Sequence, residues 1–195
     1  GLQKKDPGEV DVEPTFYDCS QHWARTSIEA AASAGWVNGV SAGKFQPNGT
    51  LTRAAFVTML GRMAGVKDTD YTTSVFRDVP DGEWYTSFVV WATENGIVDG
   101  YGDGIFLPQN NITRQEMATM LYRYWKLQGS KYTAKDDVLA GYQDRGEVAD
   151  WALEAMSWTV QSGIIVGMTP TTLNPAGSAT RAQVALVLVN YLKLN

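Results

Sequence analysis

The sequence predicts an all-α protein made of three tandem helix-loop-helix units. Three observations lead there: a frame of five positions recurs three times without a gap, a glycine followed by an apolar residue ends a first helical stretch in each copy, and a threonine after a proline opens a second one.

The frame runs Trp, Gly, Gly, Pro, Arg. It reads Trp23, Gly35, Gly39, Pro47, Arg53; then Trp84, Gly96, Gly100, Pro108, Arg114; then Trp151, Gly163, Gly167, Pro175, Arg181, with 30 residues from Trp to Arg each time. An aromatic-x-Asp triplet precedes each copy, ending on Asp18, Asp78 and Asp144. Length varies only between that aspartate and the tryptophan and in two polar stretches. The organisation is therefore a polar leader (1–14), unit one (15–65), a linker (66–75), unit two (76–127), a linker (128–141) and unit three (142–195).

The first helix of a unit starts near its tryptophan, because Ile28, Ala31 and Ala32, or Phe88, Val89 and Ala92, follow at helical spacing. It stops at Gly35, Gly96 or Gly163, since glycine enters the left-handed conformation of a helix end without a Cβ clash. Trp36, Ile97 and Ile164 then pack back on the last turn. A glycine-containing loop carries an apolar anchor two residues before the proline: Phe45, Phe106 or Leu173. Thr52, Thr113 and Thr180 cap the second helix, and Glu116 and Gln183 complete capping boxes that Ala55 cannot. The second helices bury Phe56, Leu60, Met117, Leu121, Val184 and Leu188. Units of about 50 to 65 residues cannot bury two amphipathic helices well alone, so the three should pack as one cooperative body.

Composition narrows the function. A net charge of −5 opposes indiscriminate binding of polyanions, so nucleic acid is not an expected partner, and an anionic ligand would need individually placed cations. No apolar run is long enough to span a membrane, and no membrane insertion is expected. One cysteine, Cys19, and one histidine, His22, remove most His- and Cys-based catalytic and metal templates. No cofactor, no metal and no catalytic residue is expected. Asp103, flanked by glycines, lacks the further carboxylates of a calcium loop.

The arginine after each capping threonine has the least comfortable structural explanation, because a helix N-terminus opposes cations. Arg53, Arg114 and Arg181 either grip a ligand carboxylate in clefts between units, helped by helix-end amides, or staple the array through an aspartate. Asp18, Asp78 and Asp144 either accept from sugar hydroxyls or cap the next helix. Trp23, Trp84 and Trp151 offer faces on which a sugar could stack, although a tryptophan at a helix start is more often core. Gly39 and Gly100 supply tight turns and, secondarily, backbone amides to a ligand.

Phe-x-Asp, Gly-(Trp/Ile)-(Val/Ile)-x-Gly, Phe-x-Pro and Thr-Arg-x-x, in this order over residues 15–195, resemble the surface-layer homology (SLH) repeat. Copy two shows it most fully, from Phe76-Arg-Asp-Val-Pro to Asn111-Ile-Thr-Arg-Gln-Glu116. The resemblance implies a pseudo-threefold bundle with a central three-helix core and outward lobes. It implies an extracellular module of the bacterial cell wall or S-layer, joined to a covalently linked cargo domain and binding a secondary cell-wall polysaccharide. The implied ligand is a pyruvate ketal on N-acetylmannosamine, and the implied wall-binding residue is the arginine of the Thr-Arg-Ala-Glu motif, here Arg53, Arg114 and Arg181. Copy one has Ala55 in place of the acid. Copy three has Gln183 there and replaces the glycine-rich loop with residues 168–173, which marks it as more scaffold than site. The competing classes are a helical-repeat protein-protein interaction module and a glycan-cleaving enzyme, the latter requiring a carboxylate pair that the frame does not nominate.

Overall fold

The computed structural model describes residues 15–133, 135 and 137–194; the polar leader at 1–14 lies outside the described residues. Six α-helices occur among them, two per unit, and no strand: α1 (Arg25–Ser33) and α2 (Arg53–Met63), α3 (Thr86–Glu94) and α4 (Arg114–Leu127), α5 (Leu153–Gln161) and α6 (Arg181–Leu192).

Each first helix begins two residues after its tryptophan, not at it, and has no side-chain cap. Each ends as the glycine pattern predicts. Gly35, Gly96 and Gly163 have φ of 77°, 65° and 67°, and the next residue donates back into the last turn: Trp36 N to Ala31 O (3.0 Å), Ile97 N to Ala92 O (2.8 Å) and Ile164 N to Thr159 O (2.9 Å). The second helices are capped by Thr52, Thr113 and Thr180, with complete capping boxes at Glu116 and Gln183 and none at Ala55.

The units are joined in a cycle. Leu51 N donates to Ala179 O (3.2 Å), Ala179 N to Ile112 O (2.9 Å) and Ile112 N to Leu51 O (2.8 Å), a closed ring of three backbone bonds that contains one residue from each unit. The same step governs helix packing: α2 lies on α3, α4 on α5, and α6 returns to α1. One hydrophobic cluster runs through all three units. It includes the fully buried Phe45, Phe106 and Leu173 and the second-helix residues Phe56, Leu60, Met117, Leu121, Val184 and Leu188. The α4–α5 seam adds an aromatic group, with Trp158 centred 4.9 Å from Trp125 and 5.3 Å from Tyr122.

Candidate functional site

The aspartates close the loops. Asp18 accepts from Phe45 N (2.9 Å) and Gln46 N (2.7 Å), Asp78 from Phe106 N (2.9 Å) and Leu107 N (2.7 Å), and Asp144 from Leu173 N (2.8 Å) and Asn174 N (2.6 Å). The helix-capping reading is thus corrected, because the amides belong to a loop about 28 residues downstream. The second acceptor contact holds a residue in the left-handed region just before the proline: Gln46, Leu107 and Asn174 have φ of 58°, 60° and 52°. Such a conformation costs about 1–3 kcal/mol outside glycine, and two charge-assisted bonds offset it. Burial opposes ionisation of Asp18 and Asp144, but the amide bonds outweigh it and keep both carboxyls below the ordinary aspartate range.

The loop glycines are required for space. A Cβ on Gly39 would stand 2.7 Å from the Phe16 ring and 2.8 Å from Lys44 O; on Gly100, 2.6 Å from the Phe76 ring and 2.5 Å from Ile105 O. The aromatic of each aromatic-x-Asp triplet thus packs on the glycine of its own unit. Unit three, read as losing this loop geometry, closes identically: Met168 N donates to Thr172 O at 2.8 Å, as Val40 N does to Lys44 O and Tyr101 N to Ile105 O.

The tryptophans are not core. Trp23, Trp84 and Trp151 are 63%, 53% and 56% exposed. Helix starts two residues later leave their rings outside the helix packing, so the core reading is corrected and three aromatic faces stand in solvent.

The helix-end amides are already used. Arg53 N donates to Asn110 O (2.9 Å) and Ala54 N to Pro108 O (3.1 Å); Arg114 N to Gly177 O and Gln115 N to Pro175 O (both 2.9 Å); Arg181 N to Gly49 O (2.8 Å) and Ala182 N to Pro47 O (2.9 Å). The threonine hydroxyl takes the third amide. The expectation that these helix ends help to hold an anion is therefore corrected: the next unit's carbonyls fill them. Crowding of carbonyls there also explains why a cation is tolerated at this position.

The arginine side chains follow the same cycle. Nε of Arg53 donates to Phe106 O (3.0 Å), that of Arg114 to Leu173 O (2.7 Å) and that of Arg181 to Phe45 O (2.7 Å). Beyond this the three differ. Arg53, 3% exposed, pairs with Glu116 of unit two at 2.7 Å and lies 4.7 Å from the centroids of the Tyr101 and Phe106 rings. Arg114 gives its terminal nitrogen to Val166 O and Arg181 to Asn38 O, each at 2.7 Å, and neither has a carboxylate within ion-pair distance among the described residues. Burial depresses the basicity of both guanidinium groups, against the smaller opposing effect of Asp144 on Arg114 and of Asp18 on Arg181.

A cleft of about 270 Å³ opens between units at Arg53. Glu116 and Tyr101 line it, their side chains hydrogen-bonded to each other; burial and that bond push the Tyr101 hydroxyl up to about 12. Arg123, paired with Asp99 at 2.7 Å, and Trp151 of unit three complete its rim, with Gly100 at the wall. Sequence reasoning missed Glu116 as an ion-pair partner because its capping role already explained it. The spacing of Glu116 and Arg123, seven residues apart on one helix face, was the available signal.

The S-layer homology domain pattern matches residues 15–57, 75–118 and 136–185. Among similar curated proteins, the amylopullulanase of Thermoanaerobacterium thermosulfurigenes is 31% identical over 94% of this chain and 10% of its own length. The S-layer protein sap of Bacillus anthracis is 31% identical over 88% of the chain and 20% of its own length. The cellulosome-anchoring protein of Acetivibrio thermocellus is 30% identical over 80% and 35%. The chain thus spans between a tenth and about a third of the length of these relatives.

Proposed function

The chain belongs to the S-layer homology family, with three tandem repeats, and from that premise we propose that it is a non-catalytic anchoring module that binds secondary cell-wall polysaccharide in the grooves between its units. Membership of a family that includes S-layer and cellulosome-anchoring proteins places its work at a bacterial cell surface. The cargo is a covalently linked domain, in keeping with relatives of which the matched stretch is a small part.

The observation that carries the reading is the placement of Arg114 and Arg181. Each is fixed by carbonyls of the neighbouring unit, is partly or wholly withdrawn from water, and has no carboxylate partner among the described residues. In a protein of net charge −5, such guanidinium groups are specific anion sites and not part of a general positive field. The ligand group is the carboxylate of a pyruvate ketal on N-acetylmannosamine. The exposed tryptophans supply faces for the sugar, Trp151 at the Arg53 groove and, by the same cyclic step, Trp84 at that of Arg181 and Trp23 at that of Arg114. Gly100, on the cleft wall, and Gly39, its counterpart, let backbone approach the ligand; the aspartates belong to the frame.

The cyclic bonding, with α2 also meeting α4, supports a pseudo-threefold arrangement of the units, and a central three-helix core of α2, α4 and α6 with outward lobes is part of the proposal. Units 15–65, 76–127 and 142–195, joined by 66–75 and 128–141, form one cooperative domain. Co-sedimentation of the pure chain with wall polymer, before and after acid removal of its pyruvate groups, tests the function. Binding that disappears with the ketal is expected. Equal binding to both polymers, no binding to either, or release of glycan fragments would sink the proposal.

A further inference from the structure

We propose that Asn38 is a self-modification site: the Gly39 amide nitrogen closes on the Asn38 side chain with loss of ammonia, and water then leaves a carboxylate beside Arg62. This goes beyond the anchoring function and does not depend on it.

The chain holds three Asn-Gly pairs, Asn38-Gly39, Asn48-Gly49 and Asn95-Gly96. Such a pair is a reactive context for an asparagine, because the glycine amide that must attack has no Cβ beside it. Ring closure needs a free attacking N–H and a backbone that can bring this nitrogen onto Cγ. It is helped by a donor on the side-chain oxygen, where negative charge develops.

Asn95 is locked. It caps α3 with ψ of 9°, its NH2 group donates to Trp91 O at 2.8 Å, and Gly96 N donates to Thr93 O at 3.0 Å. At Asn48 the side-chain oxygen meets a ring nitrogen of His22 at 3.1 Å, but Gly49 N is spent on Gln46 O at 3.0 Å. That turn is also pinned on both sides, since Gly49 O and Pro47 O receive the first two amides of α6.

Asn38 differs on each count. It is exposed, lies outside the helices, and is followed by an amide, Gly39 N, that donates to no described acceptor. With its NH2 group turned to Val37 O at 3.2 Å, its side-chain oxygen accepts from the Arg62 guanidinium at 3.2 Å. Arg62 forms no ion pair with a described residue. Its charge is therefore free to polarise the amide carbonyl and to stabilise the oxyanion formed on attack.

The atoms balance with water as the only co-reactant. Gly39 N gives its proton to solvent and bonds to Cγ; the Cγ–Nδ2 bond then breaks, and the nitrogen takes a proton from water and leaves as ammonia. A second water opens the five-membered imide at either carbonyl, giving aspartate or the isoaspartyl linkage. Nothing is oxidised or reduced. Either product adds one negative charge to a chain of net −5 and sets a carboxylate next to Arg62. Unit two carries that arrangement from the start: Asp99 stands at the position of Asn38 and pairs at 2.7 Å with Arg123, the counterpart of Arg62. Unit one thus ages toward the ion pair of unit two.

The test incubates the full chain at mildly alkaline pH, folded and in urea, and reads each asparagine by peptide mass spectrometry from the NH2-to-OH mass gain. In the folded chain Asn38 converts about tenfold faster than Asn48 or Asn95, whereas in urea the three rates converge. Arg62→Met slows Asn38 alone, by about tenfold, and Arg62→Lys, which keeps a charged donor, recovers part of the rate. A folded chain in which Asn38 is no faster than Asn48 or Asn95 overturns the assignment. So does an Arg62→Met chain in which the Asn38 rate is unchanged, or in which all three rates shift together.

Discussion

Replacing Arg53 by methionine, which keeps the aliphatic stem, separates a staple from a site. The change leaves Glu116 without its ion-pair partner, in a side chain 11% exposed. Breaking a buried pair from one side costs about 3–5 kcal/mol. Glu116 retains Thr113 N, Thr113 Oγ1 and the Tyr101 hydroxyl as donors, so the lower end applies, about 3 kcal/mol. For a chain of this size that is a fall in Tm of about 6–12 °C. Arg181→Met strands no carboxylate. It gives up bonds to Phe45 O and Asn38 O, the second at an exposed residue, and relieves the desolvation of a cation, for a net loss of about 1 kcal/mol and about 2–4 °C. Calorimetric and urea unfolding of the two variants, with Glu116→Gln and Arg53→Met/Glu116→Gln to complete a double-mutant cycle, gives the comparison. The double variant recovers part of the loss. If Arg181→Met destabilises as much as Arg53→Met, or the cycle shows no coupling, the assignment of Arg53 as staple is refuted.

Gly100→Ala destabilises by about 1–3 kcal/mol, because the new methyl meets a backbone oxygen and the Phe76 ring; Gly141→Ala, with nothing within 4 Å, stays within about 0.5 kcal/mol of the parent in the same urea titrations. Trp84→Ala leaves Tm within about 2 °C but lowers affinity for wall polymer about fivefold, the scale of one aromatic-face contact near 1 kcal/mol, in a polymer-binding isotherm. Asp18 and Asp144 have folded pKa values below their unfolded ones, so their stabilisation is present above about pH 4, the unfolded value, and is lost as pH falls through the folded values. Urea midpoints should therefore be flat from neutral pH to about 5 and fall below about 4, and Asp18→Asn/Asp144→Asn should flatten that fall.

The frame was legible because each of its positions answers to a local rule. Glycine then apolar residue reported a left-handed helix end, and threonine with Glu116 or Gln183 reported a cap; both are written in a few adjacent residues. What spacing could not report is where a side chain goes once units pack. Trp151 stands at a helix start in sequence, yet the helix begins at Leu153 and leaves the ring at the rim of a cleft made by two other units. Asp78 looks like a cap but reaches Phe106 and Leu107 in the loop beyond the helix. Arg53, Arg114 and Arg181 are identical in the frame, and only the cyclic contact between units sets Glu116 against the first and Ala55 in the corresponding place for the last. The inequality of the three arginines is thus a property of pairs of units, invisible when each repeat is read alone.

The most direct test of the anchoring account is a crystal structure of the chain soaked with a pyruvate-ketal N-acetylmannosamine unit. Density for the ketal carboxylate against the Arg114 or Arg181 guanidinium, with the sugar on an exposed tryptophan of another unit, is the predicted result. Ligand density confined to surfaces away from the inter-unit grooves would contradict it.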